Sequence, residues 1–244
     1  SDVAEIYAFG NYAQRDVDGG FFYRNPNTRG GVFVRPSDNL VDADGDPIPV
    51  RLVLDLTPDT PGDCPTDLLV EDTDGLNAVI ADQNCFVFNE RFPAGFTPRF
   101  GGRLNDIAAT GGVRGELDFG LFYDISAGAG RNEADFFINN TVNAALGPLS
   151  PTSFELGSYI QLEKQVNIDL SYPIEVDYFA SPLNVAAGFE WREEQFEIQT
   201  GEPASFASDF SDQGASPAAN GFPGFSPDIA GTFDRKNVAL SLIH

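Results

Sequence analysis

The sequence predicts an all-β chain of about six antiparallel strands in an open, curved sheet, the partial form of a transmembrane β-barrel with long extracellular loops. Three observations predict it. Several segments alternate between apolar and polar residues, and the links between them alternate between short and long. No stretch approaches the roughly 18–20 consecutive apolar residues that a membrane-crossing helix needs.

The clearest segment is residues 160–172. Ile160, Leu162, Val166, Ile168, Leu170 and Tyr172 hold even positions, Gln161, Glu163, Gln165, Asn167, Asp169 and Ser171 hold odd ones, and only Lys164 breaks the period of two. A strand tilted by about 45° climbs about 2.3 Å per residue along the membrane normal, so about eleven residues cross the apolar band. This run is long enough. From Leu183 the outward set is Leu183, Val185, Ala187, Phe189 and Trp191, against Asn184, Ala186, Gly188, Glu190 and Arg192. After Arg192 the phase flips: Phe196 and Ile198 now oppose Glu193, Gln195 and Glu197, which predicts that the strand has left the lipid. Trp191 sits at that change, where an interfacial girdle uses an aromatic amphiphile.

Two further segments agree. Leu121, Tyr123, Ile125, Ala127 and Ala129 alternate with Asp124, Ser126, Gly128 and Gly130, and Ile107, Ala109, Gly111, Val113 and Leu117 alternate with Thr110, Arg114 and Glu116. Residues 4–15 and 233–242 are weaker fifth and sixth strands. The expected girdle is Tyr123, Tyr172 and Trp191. Arg114, Glu116, Glu163, Asp169, Glu190 and Arg192 are expected to face the lumen, where inward acids serve hydration or plug contacts rather than glycosidase chemistry.

Short turns near residues 116–119 and 172–182 alternate with long Gly/Pro/Asn/Ser-rich links at 16–103, 139–157 and 200–232. Short on one side and long on the other is the asymmetry of a barrel with tight turns at one rim and large loops at the other. A soluble β-sandwich would also alternate, because its two inner faces do.

Charge narrows the partners. The formal net charge is -23, and between Asp38 and Glu90 thirteen Asp/Glu face the single Arg51. A polyanion would be repelled by such a chain, so nucleic acid is excluded, and the run is expected to be a solvated loop. Cys64 and Cys85 both lie in that loop and predict a disulfide in an oxidising space. Enzyme chemistry finds no support: the one histidine is His244, so no Ser-His-Asp or Cys-His set can form, and no phosphate-cradling Gly-rich loop opens a helix. Asp42, Asp44 and Asp46 flank Gly45 in the manner of a calcium loop, the one cofactor site the sequence suggests. It departs from the EF-hand pattern, with glycine fourth instead of sixth and Val53 at the twelfth position, so a solvated turn is the preferred reading.

Certain phrases carry a family resemblance. Tyr-Ala-Phe-Gly-Asn-Tyr at 7–12, Arg-Phe-Pro-Ala-Gly-Phe-Thr-Pro at 91–98 and Gly-Gly-Val-Arg-Gly-Glu at 111–116 resemble the middle of the barrel of TonB-dependent receptors. So do Asn-Ala-Ala-Leu-Gly-Pro-Leu-Ser-Pro-Thr-Ser-Phe at 143–154, Leu-Asn-Val-Ala-Ala-Gly-Phe-Glu-Trp-Arg-Glu-Glu at 183–194 and Gly-Glu-Pro-Ala-Ser-Phe at 201–206. Only residues 34–83 carry no such likeness. The resemblance implies a barrel of about 22 strands in the cell outer membrane of a Gram-negative bacterium, filled by an N-terminal plug. Its partners would be outer-membrane lipid, a scarce small-molecule nutrient of the siderophore, cobalamin or oligosaccharide class, and the TonB system through an N-terminal part. This chain departs from the pattern in lacking plug, coupling box and closing strand, so both ends are expected to be cuts. Leu-Ser-Leu-Ile-His at 240–244 reads equally as barrel strand and as translated adapter text. The rival class is a secreted soluble β-domain serving as an acidic, calcium-dependent binding or adhesion module.

Overall fold

A computed structural model of the chain describes residues 4–57, 64–178, 180–217 and 222–243. The alternating segments become the long strands β1 (Glu5–Gly20), β6 (Arg99–Glu116), β7 (Phe122–Asn139), β8 (Ser153–Ile174), β9 (Leu183–Thr200) and β10 (Gly231–Ile243). They form one antiparallel sheet in the order β1-β6-β7-β8-β9-β10, with β1 and β10 as unjoined edges. The sheet is not closed. Both weaker candidates are therefore strands, and residues 240–243 pair with 186–189 of β9; His244 lies outside the described residues.

Register sets the two faces. Directly opposed residues share a face, so Ile6, Val113, Ile125, Ile168, Phe189 and Leu240 form one apolar row across all six strands. The apolar residues expected on one face of four strands, Ile160, Leu162, Val166, Ile168, Leu170, Leu183, Val185, Phe189, Ile125 and Val113, do share that face.

The strands run further than alternation indicates, so the links are residues 21–98, 140–152 and 201–230 rather than 16–103, 139–157 and 200–232. Ladder hydrogen bonds need no amphipathic pattern, and Asp16, Val17, Asp18, Gly19 and Gly20 pair with 99–103 although their hydropathy is mixed. The turns are residues 117–121 and 175–182. In the first, Gly120 takes φ 91° while its N–H donates to the Leu117 carbonyl at 2.7 Å.

The first long link is not a bare solvated loop, and here the sequence expectation is corrected. It holds β2 (Val34–Val41) paired with β3 (Pro47–Arg51), β4 (Leu54–Asp55) paired with β5 (Cys85–Phe86), and α1 (Thr73–Ala81). With the other two long links it forms a cap at one end of the sheet. Val32, Phe33, Leu52, Leu54, Phe86, Phe88 and Phe96 are buried with Val142, Ala144, Ala145 and Ala215 of those links. Polar bonds stitch the same junction. Arg91 donates to the Ser150 carbonyl at 2.8 Å, Asn143 to the Ala204 and Ala207 carbonyls at 2.8 and 2.9 Å, and Gln213 exchanges two bonds with the Asp55 backbone. Acids can dominate this link because they occupy its surface, while its apolar residues meet partners that are distant in sequence.

Arg51, the lone cation of the acidic run, is buried and donates to the Pro26 and Val70 carbonyls and to Asn27 at 2.7–3.2 Å. Burial pushes its guanidinium below the ordinary arginine value, and Glu71 offsets part of that. Its charge serves the interior, while Asp38 of the same run pairs with Arg35 at 2.7 Å.

Cys64 and Cys85 are joined, with Cα atoms 5.7 Å apart, and close a sequence separation of 21 beside Leu68, Val79 and Val87. Replacing both by serine should cost the cap about 3 kcal/mol. Protease cleavage between residues 64 and 98 should accelerate while hydrogen exchange in the sheet stays unchanged; unchanged cleavage would refute this role.

A second expectation concerns acid. Asp67 accepts from Ser37 at 2.6 Å and from Asn39 at 2.7 Å, and these bonds hold its carboxyl below the ordinary 3.8. A depressed folded-state value adds stability above the unfolded value, which is lost as pH falls through the folded one. Amide exchange at Asn39 and Leu40 should therefore rise below pH about 3.8, and Asp67→Asn should abolish that acid dependence.

Candidate functional site

The sheet's two faces differ in chemistry because each strand alternates and the register keeps the alternation in step. On the apolar face, Ile174 opposes Leu183 and Tyr172 opposes Val185 nearest the short turns. Next come the row of Tyr123, Leu170, Ala187 and Leu242, the Ile168 row, and the row of Ala8, Gly111, Ala127, Val166, Trp191 and Val238. From the Ile174 row to the Val166 row is eight residues, which at a tilt of about 45° spans about 18 Å, within the roughly 25 Å apolar band of an outer-membrane barrel.

On β8, β9 and β10 the belt is interrupted beyond Trp191, while Tyr12 and Ile107 keep the same face apolar further on in β1 and β6. The following row carries Lys164, Glu193 and Lys236, with Glu193 at 3.7 Å from Lys164 and 3.0 Å from Lys236. Lys164, which interrupts the pattern in the sequence, thus marks the belt's edge. Tyr123, Tyr172 and Trp191 all lie on the apolar face; Tyr172 meets Phe119 of the short turn, with ring centroids 6.3 Å apart. Ile6, Val238 and Leu240 are 84%, 63% and 79% exposed, and among the described residues no second sheet lies on this face.

The opposite face brings together Arg114, Glu116, Glu163, Asp169, Glu190 and Arg192. Arg192 lies 3.2 Å from Glu190 and 3.8 Å from Glu163, and Arg114 lies 2.9 Å from Glu5. Tyr7 donates to Asp124 at 2.6 Å. Gly128, Gly130 and Ala108 leave a groove of about 310 Å³ among these polar side chains.

Toward the cap, this polar face turns aromatic. The phase flip after Arg192 delivers Phe196 and Ile198 here, beside Tyr159 and Phe136. Phe222 and Phe225 of the third link lie over them, Phe225 at 4.8 Å from Tyr159 and Phe222 at 4.9 Å from Phe100. A bulge at Leu156 feeds this junction. Gly157 takes φ 106°, and a Cβ there would come within 2.4 Å of the Gln199 carbonyl, so only glycine fits. Sequence periodicity missed the aromatic roof, because Phe222 and Phe225 sit in a link with no period; its signal was the count of 22 Phe, high for a chain with so much loop.

The carboxylates at Asp42, Asp44 and Asp46 are not gathered as a calcium site. Asp42 accepts from the Asp44 and Asp46 amides at 2.9 and 3.0 Å, and its own amide donates to the Asp46 carbonyl, closing the β2–β3 turn around Gly45 at φ 89°. Asp42 Oδ1 is thus engaged in closing the turn. Among the described residues, no group of three or more His, Cys, Asp and Glu is placed to hold a metal. No family model, curated protein or solved structure matches this chain.

Proposed function

We propose that the chain is a barrel segment of a Gram-negative outer-membrane receptor of the TonB-dependent class, which takes up a scarce nutrient with energy from the inner membrane. The observation that carries this reading is the bare apolar belt: five rows deep on β8 and β9, with two of the rows continuous across all six strands, bounded on β8, β9 and β10 by a charged row, with every long link on one side. Lipid is the solvent such a face needs. The polar face would line the lumen, the cap would stand outside the cell, and neighbouring strands would close the edges of β1 and β10. The role is binding and passage rather than catalysis. The rival, a soluble secreted module, needs a second layer over the belt.

The chain's single tryptophan reports on the choice. Trp191 stands in the last apolar row, so refolded with phospholipid it should emit at short wavelength and be quenched by lipids brominated on the acyl chain. In aqueous buffer without detergent the chain should aggregate. A sharp monomer peak without detergent, and Trp191 insensitive to brominated lipid, would overturn the reading.

A matched pair of substitutions tests the faces. Ile168→Arg places a cation in the belt's middle row and should lower stability in lipid by about 2–4 kcal/mol, whereas Asn167→Arg, one residue away on the polar face, should cost less than about 1 kcal/mol. Equal costs, read from denaturant midpoints in bilayers, would refute the assignment.

A further inference from the structure

One row of the polar face stands apart from the ion pairs. Asp106, Asn132, Gln161, Phe196 and Phe233 oppose one another in that order across β6, β7, β8, β9 and β10. With strands about 4.8 Å apart the row is about 19 Å long, the reach of a chain of several sugar rings. Its first half borders the groove floored by Ala108, Gly128 and Gly130. Its second half is two adjacent phenylalanines, 36% and 58% exposed, where the polar face meets the aromatic cluster at the cap.

We propose that this row binds a neutral polyhydroxylated chain, an oligosaccharide, which deepens the receptor reading by choosing one nutrient class and rests on that reading for its place at the barrel mouth. Amides both donate and accept, as vicinal sugar hydroxyls do. Asn132 donates to Asp106 at 2.5 Å, which leaves its amide oxygen and the second Asp106 oxygen without a side-chain partner, and Asn11 and Gln161, which line the same groove, make no side-chain hydrogen bond among the described residues. Phe196 and Phe233 offer flat apolar surface to the C–H face of a sugar ring, and Tyr159, 5.2 Å from Phe196, supports the first of them from the cap side.

Charge excludes the alternatives. Arg192 and Arg235 on this face each lie within 3.8 Å of a glutamate, Arg15 stands one row from Asp106 at the β1 end, and the net charge of -23 opposes an anionic iron chelate or an acidic sugar. Height suits capture from outside. Phe196 lies five residues beyond Trp191 toward the cap, about 11 Å above the last apolar row at about 2.3 Å per residue.

The test is calorimetric titration of the full chain, refolded in a sugar-free amine-oxide detergent. The probes are neutral linear malto-, cello- and xylo-oligosaccharides, an oligogalacturonate, and a ferric trihydroxamate complex. At least one neutral chain should bind, and Gln161→Ala and Phe233→Ala should each weaken it roughly tenfold. Quenching of Trp191 by brominated lipid should remain unchanged in both variants, which separates a lost contact from a lost fold. Binding of no neutral probe, preference for the galacturonate or the iron chelate, or indifference to both substitutions would overturn the proposal. The two readings fail separately: sugar binding without Trp191 quenching sinks the membrane assignment, and quenching without sugar binding sinks the ligand class.

Discussion

The row Ile6, Val113, Ile125, Ile168, Phe189 and Leu240 is the constraint on which the rest of this molecule depends. Antiparallel pairing places like beside like across every strand, so the apolar residues cannot be scattered or turned in one at a time. A slip of one residue in any strand would exchange Ile168 for Asn167 and put a polar group into the row. Register and amphipathicity therefore enforce each other. What they produce is a sheet with no second layer, whose oily face must find its cover outside the described chain.

The cap solves a different problem from the sheet. Three links widely separated in sequence fold on one another and bury Phe33, Leu54, Phe88 and Val142, as a small water-exposed domain would. The sheet changes character where it meets them. Below Trp191 the apolar residues of β9 point to one face, and above Arg192 they point to the other, where Tyr159, Phe136 and Phe225 receive them. The upper half of the strand hides its apolar side under the cap, and the lower half leaves it bare. The crossover coincides with the charged row of Lys164, Glu193 and Lys236.

Electrostatics divides along the same line. The described acids of residues 38–90 are exposed or half-buried while Arg51 turns inward to hold backbone carbonyls, and several carboxylates are occupied by local work. Asp42 closes a turn, Asp67 clasps Ser37 and Asn39, and Asp72 caps the N-terminus of α1 by accepting from Gly75. A cluster that looks like a cation site in one dimension is thus partly a set of turn and cap residues in three.

The sequence alone determined the six strands, their antiparallel class, the faces of the alternating segments 107–117, 121–130, 160–172 and 183–192, and the side on which the long links fall. It could do so because these properties are local: a period of two and a turn signal need no knowledge of distant partners. The pairing of Cys64 with Cys85 was legible for the same reason, since both lie in one link. Only the tertiary structure decided that this link is folded and not merely solvated, that Arg51 is interior, and that Phe222 and Phe225 roof the polar face. It also aligned Asp106, Asn132, Gln161, Phe196 and Phe233, one residue from each of five strands spread over more than a hundred positions. Such a row exists only through register, and register is a sum of pairings between strands that no single segment contains.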